Sequence, residues 1–319
     1  MALKIKLRRA LLAGVFFLVS CNISSQTYRD ISGWDADVNQ KLERFLNSTI
    51  IIKDRKVAVF DCDGTLFGQV PYYLADEAIY DYAETRYAGK EDSLSRAKMS
   101  IIDTLLHGNN VGTEYVKRRI DFLSGLTVGE VENMGDQDFH EKYQMKFYPE
   151  MRELLANLQD YGFELWVLTA SPELLYQQFV HENLGIPKNR ILGVKSVISH
   201  GKITNQLVDP IPQDAGKADA IQTFIKTRPL FVAGNSRGDM EMMNESVGIK
   251  LIVNPDNEKI ERGNHAGDMD GYTVKQYWQK HEGLTVYCND VAEGSQIYAS
   301  NGLKIKANKS NPKPVKSAQ

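Results

Sequence analysis

Short, almost uniformly apolar runs recur along this chain between longer segments with helical periodicity. The run Lys56–Phe60 is branched and apolar and is followed directly by acidic residues, which is typical of a strand buried on both faces of a parallel sheet. Residues 163–168, 230–233 and 248–253 share this pattern. Helical spacing marks residues 35–46, 149–161 and 172–184. Strands that alternate with helices predict an α/β fold with a three-layer, Rossmann-like parallel sheet.

The pattern changes between residues 68 and 147. Stretches with helical periodicity follow one another without a strand-like run between them, at residues 74–87, 93–106, 114–124 and 138–147. The simplest explanation is a helical cap, residues 68–147, inserted into a core formed by residues 34–67 and 148–290. A hairpin is predicted within this core, from residues 194–199 and 202–207.

The N-terminal segment carries the features of an export signal. Residues 4–9 are basic, and the apolar run at 10–19 is too short to cross the roughly 30 Å hydrocarbon core of a bilayer. The sequence LVSC, ending at Cys21, resembles the bacterial lipobox, which implies a signal peptide over 1–20, acylation of Cys21 and a tether over 21–33. We therefore expect an exported protein, lipid-anchored to the bilayer at the periplasmic or outer-membrane face. An ordinary signal peptide or an uncleaved anchor is the alternative.

Composition narrows the class of partner. Hydrophobic residues make up 42% and charged residues 25% of the 319 residues, which is ordinary for a soluble globular protein. The formal net charge is -3, and residues 1–20 contribute four basic residues and no acid. The rest of the chain is therefore more acidic, which argues against nucleic acid as a partner. The polar C-terminus with its prolines predicts a disordered tail over residues 303–319.

Polar residues follow three of the predicted strands at the point where each strand ends. DCDGT begins at Asp61 after the first strand, TAS begins at Thr169 after the second, and GNSRGD begins at Gly234 after a later one. Ligands of doubly wound sheets bind beyond the carboxyl ends of the strands. In a strand-end turn, alternate residues can point to one side, so Asp61 and Asp63 are expected to flank one ligand atom.

In this order and spacing, the motifs resemble those of the haloacid dehalogenase superfamily of phosphohydrolases, over roughly residues 34–255. The resemblance implies that Asp61 is a nucleophile forming an aspartyl-phosphate and that Asp63 is the general acid and base. It further implies that Lys217, within AGKA, neutralises the phosphoryl and nucleophile charges and that Thr169 binds a phosphoryl oxygen. The residues expected to bind phosphate are Gly64, Thr65, Thr169, Ala170 and Lys217. Cys62 is given no catalytic role.

GNSRGDMEMM resembles the superfamily's fourth motif, whose acids hold magnesium. The resemblance implies a Mg²⁺ cofactor bound by the Asp61 carboxylate, the Asp63 backbone carbonyl and one or both of Asn235 and Asp239. Many members carry aspartate where this chain has Asn235. Because a neutral amide oxygen can still ligate, weaker metal affinity is expected. The expected function is that of a magnesium-dependent phosphatase acting on small phosphomonoesters.

The helical insertion resembles the cap of the phosphoserine and phosphocholine phosphatase branch, which closes over the site. Phosphoserine phosphatases have an acidic residue nine positions after the nucleophile, where this chain has Val70. This difference counts against phosphoserine. The wider pattern looks more like exported acid phosphatases and phosphocholine phosphatases. Tyr72 and Tyr73 could face a quaternary ammonium or pack within the cap.

Two other classes of function remain open from the residues. A dehalogenase or phosphonatase would have the same fold, but dehalogenation needs neither the second aspartate nor magnesium, and phosphonatases use a cap lysine. Asp63 and the fourth motif favour the phosphatase. A non-catalytic lipoprotein that binds phosphorylated ligands is the second alternative, and loss of Asp61 would be its expected mark.

Overall fold

The computed structural model describes residues 26–108, 112–261, 265, 267–292 and 294–313. The predicted signal peptide and Cys21 lie outside the described residues. Among the residues that are described, no helix combines the length and the apolar character needed to cross a membrane.

A single mostly parallel sheet forms the centre of the core. Its strands are β1 (Lys56–Phe60), β2 (Phe163–Pro172), β3 (Ile191–Ser199), β4 (Lys202–Val208), β5 (Phe231–Gly234), β6 (Ile249–Val253) and β7 (Leu284–Val286). They are ordered β4-β3-β2-β1-β5-β6-β7. The pair β3–β4 is antiparallel, whereas the other pairs are parallel. Because the chain leaves the central β1 for β2 on one side and β5 on the other, a topological switch point lies beyond β1.

Helices cover both faces of this sheet. They are α1 (Ala36–Ser48), α2 (Leu74–Arg86), α3 (Ser93–His107), α4 (Gly112–Leu123), α5 (Val128–Asp138), α6 (Pro149–Asp160), α7 (Glu173–Leu184), α8 (Ala215–Ala220), α9 (Met240–Asn244), α10 (Val274–Lys280) and α11 (Ala299–Gly302). Alternate residues of β1 face opposite sides. Ala58 and Phe60 join the core beneath α1, α6 and α7, whereas Val57 and Val59 join the core with α8, α9 and α10. The predicted three-layer α/β fold is therefore confirmed.

The helical insertion, α2 to α5, lies between β1 and β2 in the chain. The sequence predicts its last helix at 138–147, but α5 already begins at Val128, and only a π-helical turn, Phe139–Tyr143, follows it. A capping box explains the difference. The Thr127 hydroxyl accepts from the Glu130 amide, and the Glu130 carboxylate accepts from the Thr127 amide. This reciprocal pair satisfies two amides at the start of α5.

The C-terminal segment, defined here as residues 288–313, packs against the insertion and the core. The disorder predicted from residue 303 onwards is wrong for residues 303–313, and residues 314–319 lie outside the description. The Asn308 amide donates to the Pro71 carbonyl at 2.8 Å. Asp290 and Asn311 exchange backbone hydrogen bonds of 3.1 and 2.7 Å. The polar side chains that suggested disorder instead bond to neighbouring loops: the Asn308 side-chain amide donates to the Gln69 carbonyl.

Candidate active site

The turn after β1 brings two carboxylates to the carboxyl edge of the sheet. Thr65 Oγ1 donates to Asp61 Oδ2 at 3.1 Å, which fixes one face of the Asp61 carboxylate. Gly64 has a φ of +81°, and a Cβ there would stand 2.0 Å from Asn235 Nδ2. Only glycine therefore allows this turn to approach Asn235 so closely.

Lys217 connects two of the motifs. Its Nζ lies 2.6 Å from Asp61 Oδ1 and 2.6 Å from Asp239 Oδ1. The lysine is only 4% exposed, Asp61 is 6% exposed and Asp239 is 1% exposed. Burial alone would lower the pKa of Lys217, but the charges of Asp239 and Asp61 outweigh burial and raise it. The lysine is therefore held as an ammonium between two carboxylates.

Asp239 closes the turn after β5 with its other oxygen. Asp239 Oδ2 accepts from the backbone amides of Asn235 and Ser236, each at 3.0 Å, and from Ser236 Oγ at 3.1 Å. Both Asp239 oxygens are thus engaged within the protein. The same three bonds hold the Asn235 backbone, whose side chain stands beside Gly64.

Three hydroxyl groups surround the Asp63 carboxylate. Tyr176 OH donates to Asp63 Oδ1 at 2.8 Å, and Ser171 Oγ donates to Oδ2 at 3.1 Å. Thr169 Oγ1 lies 3.4 Å from the same Oδ2. Thr169 and Ser171 lie in the last residues of β2, and Tyr176 lies in the first turn of α7. The second motif and the helix after it therefore hold Asp63 from one side.

Burial and crowding of like charge perturb both carboxylates. Burial, followed by the charge of Asp239, raises the pKa of Asp61 to about 7, although Lys217 opposes the shift. Burial also raises the pKa of Asp63, and the hydrogen bonds from Tyr176 and Ser171 partly offset that effect. Three carboxylates share one ammonium here, so the cluster carries more negative than positive charge.

A cavity of about 790 Å³ opens over these groups. Asp61, Asp63, Thr169, Ala170, Lys217 and Asn235 line it. The insertion supplies another wall with Tyr73, Tyr115 and Arg119. Arg119 is buried and pairs with Asp76 at 2.8 Å, so its charge is balanced by a neighbour. Tyr72 instead turns away and donates to Asn301 Oδ1 at 2.7 Å.

A comparison with sequence models of protein families adds independent support. The model described as haloacid dehalogenase-like hydrolase matches residues 58–244, which contain the four motifs. The chain belongs to the haloacid dehalogenase-like hydrolase family. The family prediction made from the motif order is therefore confirmed, together with the prediction of a hydrolase.

Curated and solved proteins are similar to parts of this chain. Phosphoserine phosphatase SerB1 of Mycobacterium tuberculosis H37Rv is 26% identical over 145 residues, which are 44% of this chain and 46% of that protein. This chain thus spans about half the length of the curated relatives it matches. A conserved protein of unknown function from Anaerococcus prevotii matches 83% of this chain and 98% of its own, with a TM-score of 0.58 at 14% identity.

A protein of unknown function from Bordetella pertussis Tohama I is similar in the same way. It matches 73% of this chain and 99% of its own chain, with a TM-score of 0.56 at 13% identity. At these identities, both structures support the fold alone. They support an α/β fold with strands and helices in the arrangement described above.

In this member of the hydrolase family, every predicted catalytic residue lies at one edge of the sheet. Gly64, Thr65 and Asp239 do not line the cavity; they shape the turns or hold the groups that do. Sequence analysis missed Ser171 and Tyr176 as partners of Asp63. Ser171 lies within the TAS motif and could have been found there, whereas Tyr176 is one apolar position of a helix whose hydroxyl direction no local pattern reveals.

A second group of metal-ligand type lies away from this edge. Asp136, His140 and Glu182 bring one ligand atom each to within 4.8 Å of the others. Two of these residues, His140 and Glu182, are exposed, and none lines the cavity. The predicted magnesium ligands are a different set of residues, and the two groups are not connected.

Proposed function

We propose that this chain is a magnesium-dependent phosphomonoesterase that transfers the phosphoryl group of small phosphorylated metabolites to Asp61. One observation carries the proposal: the Lys217 ammonium stands 2.6 Å from the Asp61 carboxylate, at the edge of a cavity that Asp63 also lines. An ammonium there stabilises charge that builds on a transferring phosphoryl group. Asp63, two residues on, supplies the proton that an alkoxide leaving group needs.

The residues divide the reaction into two balanced steps. An Asp61 oxygen attacks phosphorus, the bond to the ester oxygen breaks, and the proton of the Asp63 carboxyl moves to that oxygen, so that an alcohol leaves. Water then attacks phosphorus and gives a proton to the Asp63 carboxylate, while the bond between phosphorus and Asp61 breaks. Inorganic phosphate is released and both side chains return to their first state.

The donor set fits a hard divalent cation. The Asp61 carboxylate, the Asp63 backbone carbonyl and the Asn235 side-chain amide offer oxygen atoms of the kind that Mg²⁺ prefers. Asn235 is the better candidate for the third ligand, because both Asp239 oxygens already bond to Lys217 and to the turn. The excess negative charge of the cluster also favours a cation. When bound, the cation reduces repulsion between the Asp61 carboxylate and an anionic phosphate ester.

Hydrolysis of p-nitrophenyl phosphate by the full-length chain in detergent, with Mg²⁺, tests this function. Asp61→Asn should lower kcat by about 10³-fold or more, because an amide is a poor nucleophile. Asp54→Asn changes an exposed aspartate and should leave turnover unchanged. Turnover by Asp61→Asn at the wild-type rate would remove the assignment of the nucleophile.

The substrate proposal is limited to a small phosphomonoester. The SerB1 relative suggests phosphoserine, but Val70 stands where phosphoserine phosphatases carry an acid, and it is only 2% exposed. Tyr73 on the cavity wall keeps phosphocholine-like esters among the candidates. Phosphate release should be compared among phosphocholine, phosphoserine, sugar phosphates and nucleotides. A single preferred ester would identify the class, whereas release from none would contradict the phosphatase.

We also propose that the protein is exported and anchored to a membrane through acylated Cys21. The lipobox-like sequence and the basic and apolar residues before it support this location. In a bacterial host fed an alkyne fatty acid, wild-type protein should be labelled and Cys21→Ala should not. Cys288→Ala, which changes a buried cysteine, should keep the label. Label retained by Cys21→Ala would contradict the anchor.

A further inference from the structure

Tyr176 is a buried tyrosine whose hydroxyl is directed at the proposed acid. The side chain is 0% exposed, and its ring packs on Phe179 with the ring centroids 5.1 Å apart. A buried phenol oxygen is costly unless it finds a partner. Its partner here is Asp63 Oδ1 at 2.8 Å. An ordinary core position would be filled equally well by phenylalanine, so the hydroxyl calls for an explanation.

The hydroxyl completes a fixed setting for the Asp63 carboxylate. Ser171 Oγ bonds to the second oxygen at 3.1 Å, and the Ser171 amide in turn donates to Thr169 Oγ1 at 3.1 Å. Each carboxylate oxygen therefore has at least one hydroxyl donor on it. A carboxylate bonded at both oxygens cannot rotate about its side-chain bonds without breaking one of these contacts.

The helix that carries Tyr176 is itself held from the side of the insertion. Gly135 of α5 packs so closely on α7 that a Cβ there would stand 2.0 Å from the Leu175 carbonyl oxygen. Leu175 is the residue before Tyr176 and is 0% exposed. The backbone at Tyr176 is thus enclosed between the insertion and the sheet, which limits the positions that its hydroxyl can take.

We propose that Tyr176 is a positioning residue that holds the Asp63 carboxyl in line with the leaving oxygen of the substrate. The inference rests on the proposed function, because it assigns Tyr176 a part in the protonation of that oxygen. Proton transfer by a placed side chain contributes about 10²- to 10⁴-fold to rate. Its effect is largest for esters with strongly basic leaving groups. A tyrosine that serves only the core would affect all substrates alike.

Full-length Tyr176→Phe should be compared with wild type on an alkyl phosphate and on p-nitrophenyl phosphate. We expect kcat/KM to fall by about 10- to 100-fold for the alkyl ester, as part of the general-acid contribution, and by less than about 3-fold for the nitrophenyl ester. Nitrophenolate leaves readily without a proton. An equal loss on both esters, or no loss on either, would overturn the positioning role.

Tyr161→Phe is the matched control. Tyr161 is also 0% exposed, and its hydroxyl donates to Asn47 Oδ1 at 2.6 Å, away from the residues that line the cavity. The ratio of kcat/KM between the two esters should stay at the wild-type value in this variant. A shift of that ratio in Tyr161→Phe equal to that in Tyr176→Phe would also overturn the inference.

Two further arms keep the outcome decisive. If circular dichroism shows that Tyr176→Phe does not fold, Ser171→Ala removes the donor on the other Asp63 oxygen and should produce the same selective loss; a uniform loss there counts against the inference. If wild type hydrolyses neither ester with Mg²⁺, the proposed function itself fails. If wild type hydrolyses both and the ratio is unaltered by the variants, only the role of Tyr176 fails.

Discussion

The catalytic edge of the sheet and the C-terminal segment are both built from buried polar groups, but they use these groups differently. At the edge, Asp61, Lys217 and Asp239 gather like charges around a cavity and leave them partly unbalanced. In the C-terminal segment, Asp290 is 3% exposed, and its oxygens are used up by the amides of Gln69 and Val70, at 3.2 and 3.4 Å. One region keeps its polar groups available for chemistry, whereas the other uses them to hold the chain.

The position of the held chain gives this difference a meaning. Gln69 and Val70 lie in the connection from the first motif to α2, and Lys146 lies in the connection that returns to the core at α6. Lys146 Nζ donates to the Val291 carbonyl and lies 3.9 Å from Asp290 Oδ1. The C-terminal segment therefore contacts both connections of the insertion. Disturbing the edge should change catalysis, and disturbing the segment should change stability.

The largest effect is expected from Lys217→Met. Loss of the ammonium leaves the Asp61 and Asp239 carboxylates facing each other and removes a charge that stabilises phosphoryl transfer, so kcat/KM should fall by about 10³-fold. Steady-state kinetics on p-nitrophenyl phosphate measure this. Lys53→Met, at an exposed position, should keep full activity, and an active Lys217→Met would break the comparison at its catalytic side.

Asp290→Ala should mainly affect stability. It leaves the Gln69 and Val70 amides and the Lys146 ammonium without a buried acceptor, which costs about 3 kcal/mol of unfolding free energy. Urea unfolding measures the loss, and hydrogen exchange should accelerate at the two amides. Asn289→Ala, at the exposed neighbour, should stay within about 0.5 kcal/mol. An Asp290→Ala protein as stable as wild type would show that the segment holds nothing.

Gly135→Ala sharpens the comparison at a third contact, between α5 of the insertion and α7 of the core. The new methyl group would press on the Leu175 carbonyl, so we expect a loss of about 1 to 3 kcal/mol. Gly129→Ala in the same helix meets nothing within 4 Å and should be neutral or stabilising by up to about 1 kcal/mol. Thermal unfolding of both variants is the test, and equal melting temperatures would contradict the close packing.

Asn235→Asp should give the smallest change. A carboxylate binds Mg²⁺ more strongly than an amide does, so the Mg²⁺ concentration for half-maximal activity should fall by about tenfold, equal to about 1.4 kcal/mol. Titration of activity with Mg²⁺ after EDTA treatment measures it. Urea unfolding of the metal-free variant should match wild type, since the C-terminal segment does not depend on the cation. An unchanged Mg²⁺ requirement would argue against Asn235 as a ligand.

The two regions also differ in how far the sequence predicts them. Asp61, Thr169 and Asn235 each follow a buried strand directly, and parallel strands end at one edge, so local patterns suffice to predict that they meet. The bonds from Gln69 and Val70 to Asp290 join residues 221 and 220 positions apart. No periodicity marks such a contact, and the polar composition of residues 303–313 pointed to disorder instead.

Helical periodicity carries its own limit in the insertion. The run at 138–147 has helical spacing, yet α5 starts ten residues earlier, at Val128, because the Thr127–Glu130 capping box begins the helix there. Likewise, the hydroxyl of Tyr176 is set by packing between α5 and α7 and not by its neighbours in sequence. Geometry across the fold decides such details, whereas strand-end motifs decide the chemistry.

The central claim is tested most directly by trapping the phosphorylated protein. Wild type mixed with substrate and Mg²⁺ and quenched in acid within a single turnover should yield, by mass spectrometry of its peptides, one phosphoryl group on the peptide that contains Asp61. Asp61→Asn should yield none. Phosphoryl label on another residue, or complete turnover with no phosphorylated peptide in wild type, would contradict the account.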